Sequence, residues 1–139
     1  MELARPDWDE YFMDLAKLVA TRGTCDRARV GCVFVRGNRL ITSGYNGSIA
    51  GDPHCDDVGH LLQDGHCIRT IHAEENAILG AAEFGISLKG TDCFVTHKPC
   101  FACYKRLAQV GVVRINYLLE HRVYSYVDTR GLLRRWAPK

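Results

Sequence analysis

An imidazole, a carboxylate and two thiols stand in an order that suits a metal ion and a proton carrier. They are His72 and Glu74 in the run Ile71-His72-Ala73-Glu74-Glu75-Asn76-Ala77-Ile78, and Cys100 and Cys103 in Lys98-Pro99-Cys100-Phe101-Ala102-Cys103. His72, Cys100 and Cys103 can hold zinc through three protein ligands, and a tetrahedral zinc with three protein ligands keeps a place for water. Zinc lowers the pKa of such a water to about 7, so hydroxide becomes available at neutral pH. Glu74, two residues from the imidazole, is then placed to carry protons between that water and a substrate. A closed, purely structural site would need a fourth protein ligand, Cys67 or Cys93.

These residues need elements that bring them together. His72 and Glu74 are predicted to open one helix, running from His72 to about Phe84, with small residues (Ala73, Ala77, Ala81, Ala82) that let it approach a sheet closely. Cys100 and Cys103 open a second helix over roughly 100–109. At i and i+3 their side chains project to one side, and the positive helix N-terminus favours thiolate over thiol. Two thiolates also bring the cluster's charge near zero. Glu75 is expected on the solvent face, and Cys32 and Cys93, in strand runs, in the core.

The rest of the chain supplies the frame. Residues 7–22 carry apolar side chains at a helical period with acids in the first turn. Val30–Val35 and Arg39–Gly44 read as strands joined by the turn dipeptide Gly37-Asn38. Residues 48–70 are a long polar excursion whose Cys and His content suggests that it is tied down. Strands follow at 92–96 and 111–119, and the tail from about 123 to 136 reads as a final helix. The pattern α-β-β-α-β-α-β-α gives an α/β fold, a mixed sheet with helices on both faces.

At 139 residues, 47% hydrophobic and 24% charged, the composition is that of one soluble domain, 1–139. A net charge of +2 gives no reason to expect nucleic acid as a partner, since sequence-independent binding needs many phosphate contacts. No run is long enough to cross a membrane, and the opening residues lack the apolar core of a secretion signal. A cytoplasmic enzyme is the expectation. The seven cysteines, odd in number, argue for metal ligands and buried thiols over a disulfide scaffold.

The H-x-E … P-C-x-x-C order is that of the zinc deaminases, where the Glu is acid/base and not ligand. At these residues the chain resembles the zinc-dependent cytidine deaminase superfamily, and within it the deoxycytidylate (dCMP) deaminases. The narrower resemblance rests on Thr24-Cys-Asp-Arg27, Val30-Gly31, Gly44-Tyr-Asn-Gly47, Cys55-Asp-Asp-Val-Gly-His60 and Asp64-Gly-His-Cys-Ile-Arg-Thr70. It covers roughly 8–122. It implies a three-layer α/β/α sandwich around a mixed sheet of about five strands. It also implies hydrolysis of dCMP to dUMP, which feeds thymidylate synthesis: hydroxide attacks C4 of the cytosine while Glu74 protonates N3 and later assists loss of ammonia.

Carried over by position, Asn46 would hydrogen-bond the deoxyribose, and Arg27, with Arg5, would hold the 5′-phosphate, a role suited to a guanidinium fork. The plainer readings are a turn residue for Asn46 and surface charges for the two arginines. His97 either lines the pocket or is a loop histidine without a ligand role. His121 stands where similar enzymes carry Tyr near the pocket mouth. The resemblance further implies a homo-oligomer, a hexamer in many members, activated by dCTP with Mg²⁺ and inhibited by dTTP, with Tyr45, Asn46 and Gly47 at the regulatory site.

Some similar enzymes hold a second, structural zinc through cysteines matching Cys25 and Cys55. Closing a four-ligand site here needs two more donors, and Cys67 with His66 or His60 are the candidates. Buried thiols with loop-stabilising hydrogen bonds are the alternative. The competing functions are a deaminase acting on dCTP, a nucleoside or a base in nucleic acid, and a catalytically idle zinc-stabilised nucleotide-binding module. The presence of Glu74 argues against the last.

Overall fold

The computed structural model describes residues 4–120 and 124–138. Helix α1 (Trp8–Ala20) starts at Asp7, whose carboxylate accepts the Glu10 N–H at 2.9 Å. Strands β1 (Gly31–Arg36) and β2 (Arg39–Tyr45) form the expected hairpin about Gly37-Asn38. The excursion is not structureless. It contains a short helix α2 (Cys55–Val58) and a small antiparallel pair, β3 (Leu62–Gln63) and β4 (His66–Cys67). Its turn, Asp64-Gly65, has φ of 51° and 77°, the two-residue geometry that Asp-Gly favours.

Helix α3 (Ala73–Glu83), strand β5 (Asp92–His97), helix α4 (Phe101–Gln109) and strand β6 (Arg114–Leu119) follow as read from the sequence. The tail is different. The predicted last helix is a strand, β7 (Leu133–Arg135), parallel to β6. The Asp128 carboxylate explains this. It accepts the N–H groups of Leu132 and Leu133, both at 2.9 Å, and the Tyr104 hydroxyl at 2.5 Å. The chain is thereby turned before Leu132 and delivered extended to the sheet edge, where Ile115 N–H donates to Leu132 O and Trp136 N–H to Tyr117 O.

The main sheet has the order β2-β1-β5-β6-β7, antiparallel among the first three strands and parallel among the last three. Period-two alternation along β1 divides the core. Val33 and Val35, with Phe94, meet α1 through Phe12, Met13 and Ala16. Cys32 and Phe34, with Val95 and Ile115, meet α3 and α4 through Ala77, Ala81, Tyr104 and Leu107. The fold is thus the three-layer α/β/α sandwich around five mixed strands.

Two glycines set how closely the helices lie on the sheet. A Cβ at Gly31 would fall 2.5 Å from Ala20 N of α1, and one at Gly44 would fall 2.3 Å from Ala73 O and 2.5 Å from Ala77 N of α3. No side chain fits at either place, so helix backbone rests directly on strand backbone.

Candidate active site

His72 and Cys100 are the N-cap residues of α3 and α4, and neither side chain caps its own helix by a hydrogen bond. Both are instead turned to a common point. His72 Nδ1 lies 3.6 Å from Cys100 Sγ and 3.4 Å from Cys103 Sγ. The donor atoms of these three residues all lie within 4.8 Å of one another, and among the described residues no fourth ligating group joins them. Two sulfurs and one imidazole nitrogen at this spacing are a zinc-type donor set with one position open.

Charge in the cluster is arranged for a cation. Its hydrogen bond with Cys103 and the nearby His72 hold the Cys100 thiol down to about 4, while the same hydrogen bond and burial push Cys103 well above the ordinary thiol range. The contact of its own Nδ1 with Cys100 holds the His72 imidazolium up to about 9.

Glu74 is 4% exposed, and burial pushes its carboxyl up to about 7. A carboxyl poised there can both accept and release a proton near neutrality. Glu75, expected to face solvent, turns to the site: its carboxylate is 4.0 Å from His72 Nδ1 and 3.8 Å from Arg106 Nε.

A cleft of about 480 Å³ opens onto this cluster, lined by His72, Glu74, Glu75 and Cys100 and further out by Arg27, Asn46, His97 and Tyr124. That volume suits a small-molecule ligand. Asn46 is 7% exposed; its Oδ1 accepts the Val30 N–H at 2.8 Å and its Nδ2 donates to Ala28 O at 2.7 Å. The exposed Arg27 donates to Gly65 O at 3.1 Å, using one of its five donors. His97 Nδ1 lies 2.8 Å from Thr96 Oγ1. Arg5 is exposed and is not among the described residues lining the cleft. His121 lies outside the described residues.

Tyr45 and Gly47 do not open onto the cleft. Gly47 is bridged to Ile71, each N–H donating to the other's carbonyl, and Tyr45 O accepts from Asn76 Nδ2 at 2.8 Å. The turn is therefore fastened to the residue before His72.

A second cluster forms one wall of the cleft. Donor atoms of Cys25, Cys55, His60 and Cys67 lie within 4.8 Å of one another. His60, not His66, completes the set. Successive strand residues point to opposite faces, so β4 presents Cys67 and not His66 to the cluster; both residues line the cleft. Burial alone would raise the Cys67 thiol, but the Arg69 backbone and the Cys55 thiol lower it to about 6. The remaining two cysteines, Cys32 and Cys93, are fully buried in the core with their sulfurs 3.4 Å apart. No cysteine is in a disulfide.

Sequence reading missed how the tail serves the site. Tyr126 OH donates to Pro99 O at 2.8 Å, and its ring packs on Phe101 and Tyr104, holding the turn that carries Cys100. Three aromatics at 124–126 and 136 were the available signal, but nothing local says what they cover.

Residues 6–119 match the model of the cytidine and deoxycytidylate deaminase zinc-binding region. ComE operon protein 2 of Bacillus subtilis is 46% identical over 126 residues, covering 91% of this chain and 67% of that protein. The deoxycytidylate deaminase of Schizosaccharomyces pombe is 33% identical over 147 residues, covering 96% of this chain and 45% of that protein. The chain therefore spans less than half of the yeast enzyme. The dCMP deaminase of cyanophage S-TIM5, solved in complex with dCMP and dUMP, superposes with a TM-score of 0.82 at 29% identity, covering 96% of this chain and all of that one. Among the described residues no helix is long and apolar enough to cross a membrane.

Proposed function

This chain belongs to the cytidine and deoxycytidylate deaminase family, and from that premise we propose that it hydrolyses dCMP to dUMP, as one catalytic domain spanning 1–139. The observation that carries the reading is a three-donor metal set beside a buried carboxylate in one cleft. The family resemblance to dCMP enzymes, including the superposition on the cyanophage enzyme, supports the choice of substrate.

The donor set of His72 Nδ1, Cys100 Sγ and Cys103 Sγ fits zinc, which when bound supplies a Lewis acid and an activated water at neutral pH. Glu74 takes a proton from the attacking water and passes it to N3 of the cytosine; it then takes the proton of the new C4 hydroxyl and gives it to the amino group, which leaves as ammonia as the C4 carbonyl forms. Its buried position keeps that proton from bulk solvent. Arg27 faces the 5′-phosphate at the cleft's outer end, and Asn46, clasped to residues 28 and 30, offers its second Nδ2 hydrogen to the deoxyribose. His97 lies alongside. Arg5 would have to reach in from outside the cleft.

The second cluster fits a structural zinc on Cys25, Cys55, His60 and Cys67, which would staple the 48–70 segment to the end of α1. The dUMP formed would supply thymidylate synthesis in the cytoplasm. Activation by dCTP with Mg²⁺ and inhibition by dTTP, in a homo-oligomer such as a hexamer, are the regulatory extension of the same reading. Its support is the Gly47–Ile71 bridge, through which an effector at Tyr45–Gly47 would act one residue from His72.

The test is turnover of dCMP followed by chromatography for dUMP, with dCTP and deoxycytidine as parallel substrates and with dCTP plus Mg²⁺ as effector. Wild-type protein forms dUMP. Glu74→Gln keeps its zinc and forms none. Unchanged turnover in that variant would remove Glu74 from the mechanism, and zinc-loaded wild type that leaves dCMP intact would sink the substrate assignment.

A further inference from the structure

The second cluster contains a detail that its four donors do not account for. His60 presents Nδ1 to the cluster, 3.4 Å from Cys25 Sγ, while its other ring nitrogen, Nε2, lies 3.0 Å from Asp26 Oδ1. An imidazole that ligates through one nitrogen carries its proton on the other, and a carboxylate accepting that proton fixes the tautomer, holds the ring plane and makes the ligating nitrogen more basic. Asp26 is itself 72% exposed on its side chain, so solvation alone would leave it free to point anywhere. It is also next in sequence to Cys25, a donor of the same set. One stretch of chain thus supplies a thiol to the metal and a carboxylate to the back of the imidazole.

We infer that Asp26 is a positioning residue for this metal site, holding His60 as the Nε2-protonated tautomer that ligates through Nδ1. The inference rests on the second-metal reading above. Three thiolates around one zinc leave a net negative charge, and the neutral imidazole is the donor least firmly held by that charge. A carboxylate behind it restores part of the missing attraction. Asp26 does not touch the cleft and has no part in the reaction.

The experiment measures zinc release from the whole protein to a chromophoric chelator, alongside long-range ¹H–¹⁵N correlation of the histidine rings. Wild type should release two zinc ions per chain, and the His60 ring should show a metal-bound Nδ1 and a protonated Nε2. Asp26→Ala should weaken one of the two ions by about 10–100-fold, the usual effect of losing an outer-shell partner. Asp26→Asn, which keeps an acceptor without the charge, should recover most of that loss. Neither substitution should alter release of the other ion.

Equal zinc affinity in Asp26→Ala and wild type, or metal bound through Nε2 of His60, would overturn the role of Asp26 while leaving the second metal in place. A single zinc per chain in wild type would overturn the second-metal reading and this inference together. The tautomer reading on wild type and the Asp26→Asn variant decide the matter even where Asp26→Ala fails to fold.

Discussion

Replacing Gly44 with alanine should damage catalysis from a position that touches no substrate. The new Cβ would sit 2.3 Å from Ala73 O and 2.5 Å from Ala77 N. Non-bonded heavy atoms settle at roughly 3.5 Å, so α3 and β2 must separate by about 1 Å. Ala73 lies between His72 and Glu74, and any retreat of this first turn carries both away from Cys100 and Cys103. Overpacking of this kind costs about 3 kcal/mol or somewhat more, and a 1 Å error in a catalytic group can cost about 100-fold in rate.

The assay is melting temperature together with kcat on dCMP, with Gly80→Ala as the control. At Gly80, also on α3, an added Cβ meets only Thr42 Oγ1, at 3.4 Å, and the helix should gain about 0.5–1 kcal/mol from losing a glycine. Gly44→Ala should therefore melt lower and turn over about two orders of magnitude more slowly, and Gly80→Ala should melt higher with normal turnover. Because β2 is an edge strand, the sheet could yield in place of the helix. A lowered melting temperature with kcat within twofold of wild type would mean that it does, and would refute the claim that Gly44 sets the position of Glu74.

Asp128→Ala should cost roughly 2–4 kcal/mol, since it strands the Leu132 and Leu133 N–H groups and the Tyr104 hydroxyl; urea denaturation measures it. Although burial opposes it, the Tyr104 hydroxyl and the backbone N–H groups hold the Asp128 carboxyl below its ordinary value. Its stabilisation is thus complete above about pH 4 and is lost as pH falls through the folded value, so Asp128→Asn should flatten the acid side of the stability profile. Chelation of the metal should abolish turnover and raise deuterium uptake at the first turns of α3 and α4, whose N-caps His72 and Cys100 make no capping bond of their own; uptake confined to other segments would contradict this. Arg27→Ala should raise KM for dCMP by about 10–100-fold, the worth of a charge-assisted bond, and leave KM for deoxycytidine nearly unchanged.

Much of the site could be read from the chain because its geometry is local. His72 and Glu74 share one helical turn, Cys100 and Cys103 share another, and their spacing alone sets which way they face. The β1–β2 hairpin was legible for the same reason, from Gly37-Asn38 between two apolar runs. What was not legible depends on contacts between distant parts of the sequence. The 133–135 segment has no alternation to mark it as a strand; it is one because Asp128 and β6 make it so. Choosing His60 over His66 required the β3–β4 register, although Asp64-Gly65 between Leu62-Gln63 and His66-Cys67 was a hairpin signal in plain view. Glu75 reads as a surface charge because a helix start says nothing about the neighbouring helix from which Arg106 reaches it.

The strand order has a consequence for how the molecule is made. β1 and β2 come first and pair with each other; β5 then joins β1, β6 joins β5 and β7 joins β6. Each strand of this sheet after β1 finds the edge it needs already present as it emerges from the ribosome, and none has to be inserted between two strands already paired. The four residues of the second cluster, 25 to 67, have all been synthesised before Cys100 and Cys103 exist. At about 5–20 residues per second, that wall of the cleft has a few seconds' head start on the centre it borders.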